Sequence, residues 1–344
     1  DALPISLIST PSVSREEQAA ADIIENFLKA RGCTTQRCGN NVWTIAPGYS
    51  HERPTLLLNS HIDTVRPVDG WTRNPFSPDD DGERIYGLGS NDAGASVVSL
   101  TAAFLLLSQR QQRYNLVFLA SCEEEISGKG GIEAVLPLLP KIDVALVGEP
   151  TGMHPAVAEK GLMVLDGEIA GKSGHAARNE GENAIYKALP MIERLRSLSF
   201  PLTSAHLGPV KISVTQISAG TQHNVVPDMC RIVVDVRTTD AYTNEQTLEM
   251  IRQAVPFCKL TPRSVRLRPS GISEQHPIVR RLVIAGRKPF GSPTLSDQAL
   301  MPFPSLKIGP GDSARSHTAD EYITYDEIRE AIQIYFTTLD GLAL

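Results

Sequence analysis

Three short apolar runs, each ending in residues able to hold a cation, constrain this chain more than any other feature. Leu56-Leu57-Leu58 runs into Asn59-Ser60-His61-Ile62-Asp63, Leu116 to Ala120 into Glu123-Glu124-Glu125, and Asp143 to Val147 into Gly148-Glu149-Pro150. Short runs without polar alternation read as strands buried on both faces, the pattern of a sheet covered by helices. Their polar ends then converge on one edge of the sheet, where α/β folds carry chemistry. His61 and Asp63, two apart on extended chain, leave on the same side. A carboxylate so placed can orient a metal-binding imidazole.

The intervening segments fit that class. Ser14-Arg15-Glu16-Glu17 reads as a capping box with Ser14 at the N-cap, opening a helix that buries Ile23, Ile24, Phe27 and Leu28 and stops at Gly32. Val42–Ile45 reads as a strand, and Asp79-Asp80-Asp81-Gly82-Glu83 as a solvated hairpin turn. Tyr86-Gly87-Leu88-Gly89-Ser90-Asn91-Asp92-Ala93-Gly94 leads into an apolar helix from about Ser96 to Leu107. From Leu162 the order becomes β-α-β-β-α-β: strands at 162–170, 210–217, 231–237 and 264–267, with helices at 183–198 and 244–255. That is the ferredoxin-like unit. It predicts a discontinuous α/β domain of residues 1–160 and 276–344, with 161–275 as an inserted domain.

Composition narrows the partners. A formal charge of −6 gives no electrostatic case for nucleic acid or an anionic membrane, and no apolar run approaches the ~20 residues of a membrane span. No signal peptide is visible, although the chain begins at Asp1 and its start is left open. Five scattered cysteines (33, 38, 122, 230 and 258) lack any C-x-x-C, which argues against a disulfide framework and for a cytoplasmic setting. Cys122, beside three Glu, reads as a packed thiol rather than a nucleophile.

The candidate site is His61, Asp63, Asp92, Glu124, Glu125, Glu149 and His317, the last in the loop Gly309-Pro310-Gly311-Asp312-Ser313-Ala314-Arg315-Ser316-His317. Two imidazoles with several carboxylates form a ligand set suited to zinc, or less specifically to other divalent ions. One acid beyond the ligands is what hydrolysis requires, to take the proton of the attacking water. For any single Glu of 123–125, an exposed acidic helix cap is an equal reading. Gly87-x-Gly89 lacks the third glycine of a dinucleotide fingerprint, and no G-x-S-x-G is present.

Taken together, Ser60-His61-Ile62-Asp63-Thr64-Val65, Gly87-x-Gly89-x-x-Asp92, Glu124-Glu125, Gly148-Glu149-Pro150-Thr151 and Gly309-Pro310-Gly311 with His317 resemble the dinuclear-zinc aminoacylase and carboxypeptidase family. Within it they resemble the acetylornithine deacetylase and succinyl-diaminopimelate desuccinylase branch. The resemblance implies two Zn2+ per subunit, with Co2+ or Mn2+ as alternatives. His61 and Glu149 would hold one ion, Glu125 and His317 the other, and Asp92 would bridge, with a cis peptide to Ala93. Asp63 would orient His61, and Glu124 would be the general base. It further implies a lid that dimerises, where His175 (in Gly171-Lys172-Ser173-Gly174-His175-Ala176) and Asn224 (in Gly220 to Pro227) serve the substrate across a homodimer. Arg237 would take a substrate carboxylate, with pairing to Asp235 or Asp240 as its structural alternative. Lys160 and Arg315 would meet a succinyl group, or else be solvated. Gly94 and Leu88 stand where many members carry basic residues, which bears on the substrate rather than on hydrolysis.

The expected activity is hydrolysis of an N-acyl amino acid: N-acetylornithine or N-succinylornithine in arginine biosynthesis, then N-succinyl-diaminopimelate, then a dipeptide or carboxypeptidase substrate. A non-catalytic metal-binding protein is the reading from another class.

Overall fold

The three apolar runs are neighbours in one sheet. In the computed structural model, which describes residues 3–178 and 180–344, Thr55–His61 lies between Asn115–Ser121 and Val144–Val147, parallel to both. Asn41–Ile45 and Thr35–Cys38 extend one side antiparallel, and Ser305–Lys307 extends the other in parallel with Val144–Val147. Leu56, Leu58, Leu116, Phe118, Val144 and Leu146 enter one core, while Leu57, Val117, Leu119, Ala145 and Val147 enter a second. Successive strand residues face opposite sides, so a sheet covered twice needs apolar side chains at every position. The chain is the expected α/β fold with a mainly parallel sheet flanked by helices.

Helix Ala95–Ser108 has buried residues around most of its circumference and packs against Tyr325–Leu339 and the sheet. Among the described residues, Ser90–Ser108, 19 residues, comes nearest to a membrane span in length and composition, but the backbone is non-helical at Asp92 and Ala93. Two-thirds of it (67%) is already covered by the fold, which identifies it as a core helix. The terminal helix is anchored by Tyr335, whose hydroxyl donates to the Ile308 carbonyl at 2.7 Å.

The chain divides into two units: Asp1–Val157, Gly271–Phe290 and Ser296–Leu344 form the first, and Ala158–Ser270 with Gly291–Leu295 the second. The second unit has a four-stranded antiparallel sheet in the order Lys211–Ala219, Met229–Thr238, Gly161–Ala170, Lys259–Pro262. Helices Ala184–Ser197 and Asn244–Ala254 complete β-α-β-β-α-β. Its fourth strand is not at 264–267 as the sequence suggested. Leu260 supplies the buried residue of that strand, and the carbonyls of Val265 and Leu267 are claimed by the Asn244 amide at 3.0 and 2.9 Å.

Candidate metal centre

His61 ends the central strand and is only 1% exposed. Its Nδ1 lies 2.9 Å from the backbone carbonyl of Asp63 and 3.5 Å from that residue's Oδ1. The carbonyl can only accept, so Nδ1 donates to it and Nε2 is the ring nitrogen left to face the site. Nε2 lies 3.2 Å from Asp92 Oδ1 and 3.7 Å from Glu149 Oε1.

Asp63 stands behind His61, and its carboxylate also organises the neighbouring strand end. It accepts the backbone N–H of Glu124 at 3.0 Å and of Glu125 at 3.1 Å, together with the Ser14 hydroxyl at 2.7 Å. Ser14 is therefore not a helix cap. The helix begins at Gln18 with Glu17 in the capping position and no side-chain cap bond. Glu17, fully buried, instead accepts the N–H of Arg15 at 2.7 Å, the N–H of Glu123 at 3.2 Å and the Asn40 amide at 2.9 Å. The sequence pattern matched a capping box, but a buried carboxylate and a strand end out-compete the helix for both side chains.

Asp92 sits in a turn opened by Gly89 at φ 75°, and its peptide bond to Ala93 is cis. A Cβ at Gly89 would come within 2.5 Å of Thr64 Cγ2, so glycine is required for space as well as for conformation. Asp92 Oδ2 is 3.7 Å from His317 Nε2, which also lies 3.0 Å from Glu125 Oε2. Glu149, His61, Asp92, His317 and Glu125 are thus successive neighbours, with Asp92 in the middle. His61, Asp92 and Glu125 offer ligand atoms within 4.8 Å of one another, as do His61, Glu124 and Glu149. Glu123 and His317, each beside a site residue or one themselves, adopt the left-handed conformation at φ 56° and 58°, which non-glycine residues keep where surrounding structure holds them.

Five carboxylates around two imidazoles make a site that favours positive charge. Burial opposes a charged His61, but Asp63, Asp92, Glu124 and Glu149 carry its proton affinity well above the ordinary value. His317, bonded to Glu125, is pushed up to about 9. Asp92 is held below the usual carboxylate range by His61, Ser316 and His317 against the effect of burial. Glu124 moves the other way: burial, then Glu149, Asp297 and Glu125, raise it well above that range, offset only in part by His61. Lone pairs and carboxylates of this kind fit one or two divalent cations of the zinc class.

The remaining predicted contacts are placed as follows. Arg315 donates through one nitrogen, Nη1, to both oxygens of Glu327 at 3.0 Å and stacks on Tyr322. Arg237 is bidentate on Asp235, through Nε at 2.9 Å and Nη2 at 3.2 Å. Lys160, half-buried in the second unit, has its pKa lowered by burial and by the nearby charges of Lys211 and Arg237. His175 and Asn224 are exposed and adjacent in that unit, with the N–H of Ala176 donating to the Asn224 carbonyl at 3.0 Å. Sequence reasoning missed Glu321 and Asn91, which brace the Asp92 turn, and Asp297, which accepts from Asn59 at 2.9 Å and Ser121 at 2.6 Å. Only the place of Asp320-Glu321 just after His317 could have hinted at the first.

Residues 57–341 match peptidase family M20/M25/M40. The chain belongs to that family. M20 relatives include the succinyl-diaminopimelate desuccinylase of Dinoroseobacter shibae, 30% identical over 270 residues, 73% of this chain and 71% of that protein. The acetylornithine deacetylase of Klebsiella pneumoniae (strain 342) is 27% identical over 360 residues, 92% of this chain and 91% of that protein. Among solved structures, aminopeptidase PepT of Bacillus cereus superposes with a TM-score of 0.80 at 18% identity, covering 98% of this chain and 96% of that one. The YXEP protein of Bacillus subtilis, described as a dinuclear metal binding peptidase of the M20 family, gives 0.73 at 18% identity, covering 98% and 97%. M20 membership makes the chain a metallohydrolase, and the family resemblance read from its motifs is correct.

Proposed function

We propose that the protein hydrolyses the amide bond of an N-acyl amino acid with the help of two divalent cations, zinc foremost, with Co2+ or Mn2+ as substitutes. The observation that carries this is Asp92, with one carboxylate oxygen 3.2 Å from His61 and the other 3.7 Å from His317. A single side chain then serves two neighbouring imidazoles, each with its own further carboxylate. In this reading His61 and Glu149 hold one cation, Glu125 and His317 the other, and Asp92 both. Bound there, the cations supply Lewis-acid polarisation of the scissile carbonyl and acidify the attacking water. Glu124, raised in proton affinity and fixed through its backbone N–H by Asp63, takes that water's proton and returns it to the leaving nitrogen. Asp63 keeps the His61 lone pair aimed and the Glu124 backbone in place.

N-Acetylornithine or N-succinylornithine, in arginine biosynthesis, is the first substrate reading. N-Succinyl-diaminopimelate is the second, supported by the 30% identical relative of that name. With Arg315 held by Glu327 and Arg237 by Asp235, the case for a succinyl carboxylate falls to Lys160, beside Lys211 and Arg237. His175 and Asn224 would serve the site of a second copy. A homodimer is supported by the exposed Lys211–Ala219 edge strand and by Tyr186, Leu189 and Ile217, which are 71%, 58% and 55% exposed.

Incubating zinc-loaded protein with acetyl-ornithine, succinyl-ornithine, succinyl-diaminopimelate and dipeptides, and measuring free amine, tests the reading. Release from none of them overturns it. Glu124→Ala should abolish turnover while metal content is retained; near-native kcat in that variant would remove Glu124 from its role. Sedimentation as a monomer would end the dimer proposal.

A further inference from the structure

Glu321 lies in neither the ligand set nor the general-base position, yet it is 2% exposed. Its carboxylate accepts three backbone N–H groups of the Asp92 turn: Asn91 and Asp92 on Oε1, both at 2.9 Å, and Gly89 on Oε2 at 3.1 Å. Its own carbonyl accepts the N–H of Gly87 at 2.9 Å. One residue therefore holds four positions of the segment Gly87–Asp92. Burying a carboxylate is costly unless such donors compensate, and here all three come from the turn that carries Asp92.

Glu321 also stands four residues after His317. The intervening loop is fixed at Asp320, whose carboxylate accepts the Thr72 hydroxyl at 2.6 Å and the N–H groups of Thr72 and Arg73 at 3.0 and 3.2 Å. The same turn reaches back from its other side: the Asn91 amide donates to the Asp312 carbonyl at 3.1 Å and Ser316 Oγ at 3.3 Å, and accepts the Asp312 N–H at 3.0 Å. Gly311, at φ 87°, leaves room for this, since a Cβ there would lie 2.1 Å from Asn91 Oδ1. Two segments far apart in sequence, one bearing Asp92 and the other His317, are thus fastened to each other by Glu321 and Asn91.

We infer that Glu321 is a positioning residue that fixes the distance between Asp92 and His317, and so sets the affinity of the site for its cations. The inference rests on the dinuclear reading above. It concerns geometry rather than charge alone, and two variants separate these. Glu321→Gln keeps the shape but presents an NH2 group to at least one of three N–H donors. Glu321→Asp keeps the charge but is one methylene too short to span all three.

The test is titration of metal-free protein with Zn2+ against a chromogenic chelator, and with Co2+ followed by its visible absorption, beside the thermal midpoint of the metal-free protein. Both variants should bind zinc roughly 10–100-fold more weakly than the parent, the range for partners that orient ligands, with an altered Co2+ spectrum. Affinity is measured well below the midpoint, so loss of fold stability alone would not move it. Wild-type affinity and spectrum in Glu321→Asp would overturn the positioning role, leaving charge as the sole contribution. Should Glu321→Gln not fold, Glu321→Asp decides alone. If the parent itself binds no pair of cations, the dinuclear reading fails instead, and the two failures are distinguishable.

Discussion

Replacing Asp63 by Asn tests the hub of the site with almost no change in shape. Oδ1 accepts the Glu124 N–H, while Oδ2 accepts the Glu125 N–H and the Ser14 hydroxyl. The amide oxygen of Asn does best in the place of Oδ2, keeping two bonds. Its NH2 group then faces the Glu124 N–H, a buried donor left without an acceptor, at a cost of about 1–3 kcal/mol. The two surviving bonds fall from charge-assisted to neutral, about 1 kcal/mol each. Removing a buried charge offers some relief. Asp63, however, is held below the usual carboxylate range by His61, Ser14 and the Glu124 N–H despite its burial, so the fold favours the charge. The net loss should be about 3–5 kcal/mol, or on the order of 10 °C in the melting of the first unit. Urea and thermal denaturation of metal-free protein measure it, and kcat should fall as the Glu124 backbone shifts. A loss below ~1 kcal/mol would refute the claim that this carboxylate fixes the 124–125 strand end.

Ser14→Ala removes a hydrogen bond to a charged group and should cost about 1.5–3 kcal/mol, with a drop in kcat that a helix cap would not produce; steady-state kinetics beside melting tells them apart. Gly148→Ala would bring a Cβ to 2.7 Å from both Leu100 Cδ1 and Ser96 Cβ, an overpacking cost of about 1–3 kcal/mol in denaturation with weaker zinc binding at the adjacent Glu149. Burial tends to raise Glu327, but Arg315 and Thr324 hold it below the ordinary carboxylate value. It therefore stabilises the fold above that ordinary value, and the contribution is lost as pH falls through the lowered one; Glu327→Gln should flatten this acid limb in a pH series of melting points. Chelation should abolish activity and lower the melting temperature, and added Zn2+ should restore both; activity that survives exhaustive chelation counts against the dinuclear proposal.

What the sequence disclosed depended on how local the signal was. The Leu56–Leu58 run shows its double burial directly, because every residue on such a strand meets a core. The polar ends of those strands therefore put His61, the Glu123–Glu125 cluster and Glu149 among the candidates from residue order, while the choice of Glu124 and Glu125 within the cluster comes from the family resemblance. Ser14 illustrates the opposite case. Its spacing to Glu17 satisfies a local rule, but its partner Asp63 lies far along the chain, and a buried charge is a stronger competitor for a hydroxyl than a helix end. Arg315 and Arg237 both read as substrate contacts; for Arg237, pairing with Asp235 two residues away is the alternative that the sequence itself offers and the structure shows, whereas Glu327, which holds Arg315, leaves no mark in the pattern. The fourth strand of the second unit was misplaced for a related reason. Val265 and Leu267 alternate convincingly, yet Asn244 claims their carbonyls.

The two imidazoles are held in unequal surroundings, His61 at 1% exposure on the central strand and His317 at 51% on a loop. Both are held in place by their neighbours, but the fold closes the first off from water and leaves the second open to it, and solvent access lets a bound ion exchange. On the proposed reading the paired ions would then differ in residence time: one effectively permanent, the other in traffic with the solvent. Protein purified without supplement would carry about half its complement, and catalytic competence would track free metal concentration over the range that fills the looser position.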